Sequence, residues 1–361
     1  MTRIGVGVDI GHNSVKIVQI VKKREQFELM GCAKITIAPG SMNEEGFIIN
    51  KNPVIEGIQL ACEQAHVRQK KVIIAVAGNA VIIKHLNLPV MLGPELGEVI
   101  RFEVEKFLSY PITEVEYDWD ILRQRDNGEM ELMVAAASNK IITEQLACLQ
   151  LAGLQVTAVD LQPLAHLRSL EINMARATSG LGAVALLDIG SAITQMLIYY
   201  EGSIRETRII TIAGDMISAA IADNLQISYE KAEAIKCNLG DADYQFINSD
   251  PEATNSESYR ANRIIGQKLA ELIVEIRGSM DYFKLQFPGT AINEFILTGG
   301  SSKLRNLAPL LERELGIAVG LGDPLTNLQL NSKQTDRAVL LGNPYQFSVA
   351  IGLALRGVEC Q

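Results

Sequence analysis

Asp9 and Asp188 each end an apolar run and stand two residues before a glycine, in Val6-Gly7-Val8-Asp9-Ile10-Gly11-His12-Asn13-Ser14-Val15-Lys16-Ile17-Val18 and in Ala185-Leu186-Leu187-Asp188-Ile189-Gly190-Ser191-Ala192-Ile193-Thr194. Each segment reads as a strand, a glycine turn and a second strand. A phosphate needs backbone N–H groups at close range, which glycine permits, and its magnesium needs a carboxylate at a strand edge. Two such hairpins in one chain can clamp a polyphosphate from opposite sides. Taken singly, each could merely close an ordinary hairpin. A third element adds weight: Phe295-Ile296-Leu297-Thr298-Gly299-Gly300-Ser301-Ser302-Lys303-Leu304 is a strand ending in a glycine pair before a helix over 304–315. Such a junction lets a flat nucleoside lie on bare backbone while the helix start faces its phosphates.

The elements that must position these residues come in two sets. Strands are expected over 4–10, 15–21 and 27–37, and a helix over 52–67 whose first turn suits Pro53. Strands over 72–77 and 81–88 flank Gly78-Asn79, which reads as a hairpin turn. The character changes between 89 and 154, with a charged helix over 94–108, strands over 117–123 and 131–137, and a helix over 140–152. That is enough for a separate α+β unit. A long helix or helix approach is expected over 158–172, then a flexible joint over 177–182. The second half repeats the strand-hairpin opening and continues with helices over 212–224 and 229–237. A polar stretch over 241–259 reads as a surface loop, a long helix spans 261–286, and a buried helix over 347–355 returns to the first lobe. The expected fold class is α/β, with two lobes around a nucleotide cleft.

With 361 residues, 48% of them hydrophobic and 21% charged, the chain can bury more than one core. A net charge of −9 argues against non-specific grip on nucleic acid or anionic lipid. The cysteines at 32, 62, 148, 237 and 360 are scattered, without a C-x-x-C pair, and read as buried thiols in a reducing compartment. The N-terminal residues lack the basic start and apolar core of a signal peptide, and no apolar run is long enough to span a bilayer. The expectation is a cytoplasmic protein without direct membrane insertion.

The order and spacing of the three glycine motifs resemble the actin, hexokinase and heat-shock chaperone ATPase superfamily. The insertion after 72–88 is similar to that of FtsA and of the PilM family of type IV pilus assembly. Within the latter, the matching stretches are Ile100-Arg101-Phe102-Glu103-Val104-Glu105-Lys106-Phe107-Leu108 before Tyr110-Pro111, Val115-Glu116-Tyr117-Asp118, and Val349-Ala350-Ile351-Gly352-Leu353-Ala354-Leu355-Arg356. The resemblance implies a two-lobed actin-like ATPase fold with an FtsA-type α+β subdomain inserted in the first lobe. Its first lobe would comprise 1–88 and 155–178 and receive a C-terminal helix at 346–361. The subdomain would span 89–154 and the second lobe 183–345.

The resemblance implies ATP with Mg2+ as cofactors. Asp9 and Asp188 would approach the metal through water, Gly11, His12, Asn13 and Ser14 would form the first cradle, and Gly190, Ser191 and Thr194 the second. Lys16 fits the superfamily spacing Asp-x-Gly-x-x-x-x-Lys and would meet the phosphates. Gly214, Gly299, Gly300 and Ser301 would complete the site, and Glu233 and Lys236, three apart on one helix face, would reach the nucleoside. Alternatives stay open on spacing alone: turn-capping aspartates, a solvated lysine, an exposed Glu233–Lys236 ion pair. Gln162 stands where the superfamily keeps a residue that positions the attacking water, or is a helix-start glutamine without that task. His12 replaces the small serine usual in these loops and puts hydrolysis in more doubt than binding. His66, His85 and His166 read as surface or core residues.

The implied partner is the N-terminal cytoplasmic segment of a PilN-like bitopic membrane protein, met by the inserted unit with Arg101, Phe102 and Phe107 as candidates for the wall, at least one of the two aromatics being expected in the core. It would bring the protein to the inner membrane peripherally. Pilus motor ATPases and self-association are further partners the resemblance admits. A small-molecule kinase is a competing reading, but 73–88 lacks its catalytic aspartate. An FtsA-like division filament is another, weakened by the absence of an FtsA-type cationic tail after 356.

Overall fold

The computed structural model describes residues 3–43, 45–78, 81–91, 93–177, 182–242, 256–330 and 337–359. The first half runs β1 (Arg3–Ile10), β2 (Ser14–Lys23), β3 (Gln26–Thr36), α1 (Lys51–Gln64), β4 (Lys71–Val76), β5 (Val81–Pro89), α2 (Pro94–Phe107), β6 (Val115–Gln124), β7 (Glu129–Ser138), α3 (Asn139–Leu151), β8 (Gln155–Leu161), α4 (Gln162–Ser169) and α5 (Glu171–Ala177). The second runs β9 (Ala183–Ile189), β10 (Thr194–Tyr200), β11 (Ser203–Ile210), α6 (Gly214–Leu225), α7 (Tyr229–Leu239), α8 (Glu257–Gln286), β12 (Ile292–Thr298), α9 (Leu307–Leu315), β13 (Ala318–Leu321), β14 (Leu328–Leu330), α10 (Arg337–Gly342) and α11 (Ser348–Glu359).

Two sheets share one plan. The first has the order β14-β3-β2-β1-β4-β8 and the second β11-β10-β9-β12-β13. In each, an antiparallel meander leads, and a strand parallel to its first member comes next. β9 is buried along its whole length, as its unbroken apolar run requires of a central strand covered on both faces. β14 carries the second half back to the first lobe by pairing with β3.

α11 lies directly on β1. A Cβ on Gly7 would sit 2.2 Å from the Ala350 carbonyl oxygen, and one on Gly5 1.9 Å from that of Ala354. The glycines permit an approach that any side chain would block. The last helix thus packs against the first strand of the first sheet.

Two element assignments need correction. β4 and β5 are not partners in a hairpin around Gly78: β4 pairs with β1 and β8, whereas β5 pairs with β7 in a separate three-stranded sheet, β5-β7-β6. Both runs are apolar, and periodicity alone does not say which sheet a strand joins. Asn79 and the loop 243–255 lie outside the described residues, as does the joint at 178–181. The expected long helix over 158–172 is instead β8 followed by α4, the break coming where Pro163 opens the helix.

α2 covers one face of the small sheet, with Leu96, Ile100 and Val104 against Leu88, Met130, Leu132 and Val134. α3, in contrast, packs on the large sheet, where Cys148 and Leu149 join the core with Val8, Ile17 and Ile58. The opposite face of the small sheet meets β11: His85 bonds the Ile204 carbonyl, and Arg205 pairs with the buried Glu131. His85 is therefore an interface residue, which no sequence pattern around it suggests.

Candidate functional site

Asp9 and Asp188 close the two central strands, and the same turn comes after each. Gly11 N–H donates to the Ser14 carbonyl at 3.0 Å, and Gly190 N–H donates to that of Ile193 at 3.0 Å. Both turns line one cleft of about 620 Å³ between the lobes. Because the glycine amides close the turns themselves, their contribution is close approach rather than donation. Asn13 crosses the cleft to Asp215, at 2.9 Å.

Lys16 stands opposite Asp9 in the β1–β2 register and pairs with it at 2.9 Å. An apolar strand therefore holds this lysine as half of an ion pair facing the cleft. Ser14 is buried behind the turn. The His12 ring bonds the Asn43 carbonyl at 2.8 Å, so it is directed to the loop before α1.

Asp188 is held from behind. Gln162, the first residue of α4, donates to its Oδ2 at 3.0 Å, and His166, one turn later, contacts the same oxygen at 3.2 Å. His166 is 1% exposed, and its other ring nitrogen meets the Ser348 hydroxyl at 2.9 Å. Sequence reasoning missed His166 as a site residue. The available signal was its i, i+4 spacing from Gln162, which places both on one helix face.

The third wall is built on glycines. Gly299 has φ +89, and a Cβ there would lie 2.3 Å from Asp188 Oδ1, so the β12 turn needs glycine both for its backbone and for its contact. Gly300 has open space beside it, and the Ser301 hydroxyl donates to the Gly190 carbonyl at 3.2 Å. Gly214 begins α6 where a Cβ would meet Ser301 Oγ at 2.8 Å and Lys236 Nζ at 3.2 Å.

Lys236 and Glu233 do not form the exposed pair that spacing also allowed. Lys236 is 8% exposed and donates to the Gly214 carbonyl at 2.8 Å as well as pairing with Glu233 at 2.7 Å. Burial works against the Glu233 charge, but Lys236 and bonds from Ser218 and Cys237 hold its carboxyl below the ordinary range. Ser228 caps the helix that carries both, accepting from Lys231 N–H.

Two expectations are not met. Thr194 is fully buried and spends its hydroxyl on the Ile212 carbonyl at 2.7 Å, so it braces the second turn and does not line the cleft. Cys237 is exposed on the cleft wall rather than buried, although Cys32 and Cys148 are. Of the three α2 candidates, Arg101 and Phe102 point outward, Phe102 being 61% exposed under Lys106, while Phe107 is the aromatic that packs on the small sheet's core. Among the described residues no helix is long and apolar enough to cross a membrane.

A family model described as Type IV pilus assembly protein PilM matches residues 7–358. The solved structure of a PilM-PilN type IV pilus biogenesis complex contains a chain 28% identical, with 98% of each chain covered and a TM-score of 0.84. The cell division protein FtsA of Bacillus subtilis (strain 168) is 26% identical over 357 residues, covering 88% of this chain and 78% of FtsA. MreB 5 of Spiroplasma citri bound to AMPPNP shares the fold at a TM-score of 0.51 and 11% identity, over 98% of this chain and 95% of that one. The fold is actin-like, and the small sheet with α2 is its FtsA-type insertion.

Proposed function

The chain belongs to the PilM family of type IV pilus assembly proteins, and from that premise we propose that it is a nucleotide-binding scaffold, closing its lobes on Mg-ATP and recruited by a PilN-like membrane protein. The observation that carries the nucleotide half is the pair of equivalent turns facing each other across one cleft, each preceded by a strand-end carboxylate. This donor set suits a polyphosphate with magnesium. Among the described residues no group of three or more His, Cys, Asp or Glu converges as metal ligands. Asp9 and Asp188 would hold the ion through water, as a small hard cation prefers. Bound there, magnesium would neutralise phosphate charge.

Lys16 would meet the phosphates by exchanging part of its contact with Asp9. Donation to phosphate falls to the residues after Gly11 and Gly190. Gly299 and Gly300 give a nucleoside bare backbone to lie on, and Glu233 and Lys236 face it from α7. Gln162 is the candidate for positioning an attacking water, and its bond to Asp188 ties that role to the metal's carboxylate. Among the described residues Gln162 is the one candidate for this role, and turnover is expected to be slow. A switch needs only that ATP bind one lobe arrangement more tightly than another.

The partner half is supported by the neighbour that is itself a PilM-PilN complex. Arg101 and Phe102 are the exposed candidates on the inserted unit, and an extended peptide could gain main-chain bonds at the small sheet's edge. The test is co-sedimentation with vesicles bearing the partner's N-terminal peptide, with and without Mg-ATP. Capture should require the peptide and change with nucleotide. Equal sedimentation with bare vesicles would contradict the recruitment model.

A further inference from the structure

Lys34 on β3 is the register partner of Lys16 on β2, so both ammonium groups leave the same face of the sheet, and both line the cleft. Their surroundings differ. Lys16 is paired with Asp9 at 2.9 Å, and Lys236 on the opposite wall with Glu233 at 2.7 Å. Among the described residues Lys34 makes no ion pair with a carboxylate, and its Nζ donates instead to the neutral side-chain oxygen of Gln346 at 2.8 Å. Lys34 is solvent-exposed at the cleft, and the atoms crowded around it together with the charge of Lys16 hold its pKa below the ordinary lysine value, while Cys237 and Glu233 pull the other way from the second lobe. A cation set beside a like charge with only a neutral acceptor is poised for an anion.

We propose that Lys34 is a phosphate-binding residue, contacting the nucleotide on the nucleoside side of the phosphate that Lys16 meets. The inference rests on the nucleotide reading above. Lys34 lies one strand further from Asp9 than Lys16 does, about 5 Å, on the side that faces Glu233 and Cys237 of α7. A nucleotide laid from the two aspartate turns towards α7 therefore passes Lys34 between its β-phosphate and its ribose. The α-phosphate is the group in reach, so AMP and ADP should both depend on Lys34 and adenosine should not.

The test is calorimetric titration of the wild type, Lys34→Gln and Lys34→Arg with ADP, AMP and adenosine. Lys34→Gln should weaken ADP and AMP about tenfold, the loss of one charge-assisted bond. Adenosine should be unchanged, and Lys34→Arg should recover most of the affinity. Equal affinities for all three ligands in wild type and Lys34→Gln would overturn the assignment. So would an equal loss for adenosine, which would mark a general change of cleft shape. A wild-type protein that binds none of the three would overturn the nucleotide reading itself, and the two failures are thereby distinguished.

Discussion

Asn13 in the first hairpin turn donates its side-chain amide to Asp215 at the start of α6, 2.9 Å away, so the lobes are hydrogen-bonded to each other directly across the cleft. Asp215 also accepts from the Tyr229 hydroxyl at 2.9 Å on α7. One carboxylate oxygen thus joins the first turn to the two helices that flank the nucleoside side of the cleft.

A double-mutant cycle measures that bridge. Asn13→Ala and Asp215→Ala should each lower stability by about 1 kcal/mol in urea unfolding, and the pair should lose less than the sum. Additive losses would mean that the amide spends its time elsewhere.

Glu131 ties the inserted unit to the second lobe, and its titration should be visible. Its burial opposes ionisation, but Arg205 and Arg123 hold its pKa at about 2, against an ordinary 4.5. A depressed carboxylate contributes stability that is present above the ordinary value and is lost as pH falls from about 4.5 towards 2. Glu131→Gln leaves the buried Arg205 with the part-exposed Glu201 as its remaining carboxylate partner and should cost about 3 kcal/mol at pH 7. Urea midpoints of the two proteins should converge as the pH is lowered through that window. A gap that is constant with pH would contradict the assignment.

Gly7 should tolerate nothing larger. A Cβ there would lie 2.2 Å from the Ala350 carbonyl oxygen and 2.6 Å from the Ala354 nitrogen, both backbone. Gly7→Ala is expected to cost about 3 kcal/mol or more, as α11 is pushed off β1. Gly97→Ala in α2, where no atom lies within 4 Å of a new Cβ, should instead gain up to about 1 kcal/mol. Thermal unfolding of the two variants compares them directly.

The inserted unit can be removed cleanly only along its sheet. Val81 and Ala137 are register partners, so the chain can be closed between them by a short turn. Removing residues 82–136 keeps α3, whose Cys148 and Leu149 belong to the first lobe's core. This variant should fold and bind nucleotide but lose capture by membranes bearing the partner. Retained capture would move the recruiting surface to the rest of the molecule.

Much of this arrangement was legible because it is written in contiguous residues. The strand-Asp-x-Gly-strand unit occurs twice, and the register of β1 with β2 arises from it, which brings Asp9 and Lys16 together. The charged run 94–107 announces α2 by its spacing of Leu96, Ile100 and Val104. The hidden part depends on distant pairings. His166 and Asp188 are 22 residues apart and meet because α4 passes behind β9. Arg205 and Glu131 are 74 apart. β5 reads as an apolar strand like β4, and only the position of β7 assigns it to the small sheet. Thr194 looked like a cradle residue because it sits next to the turn, but strand alternation turns its hydroxyl into the core.

The central claim is that the two aspartate turns form one nucleotide site, and calorimetric titration with Mg-ATP and Mg-ADP tests it most directly. The wild type should bind with saturable heat, and Asp9→Ala combined with Lys16→Ala should show none. The double variant removes both halves of one ion pair and leaves no unpaired charge, so its unfolding midpoint should stay near that of the wild type. Loss of binding in that folded protein is the predicted result. Unchanged nucleotide affinity in the double variant would contradict the site.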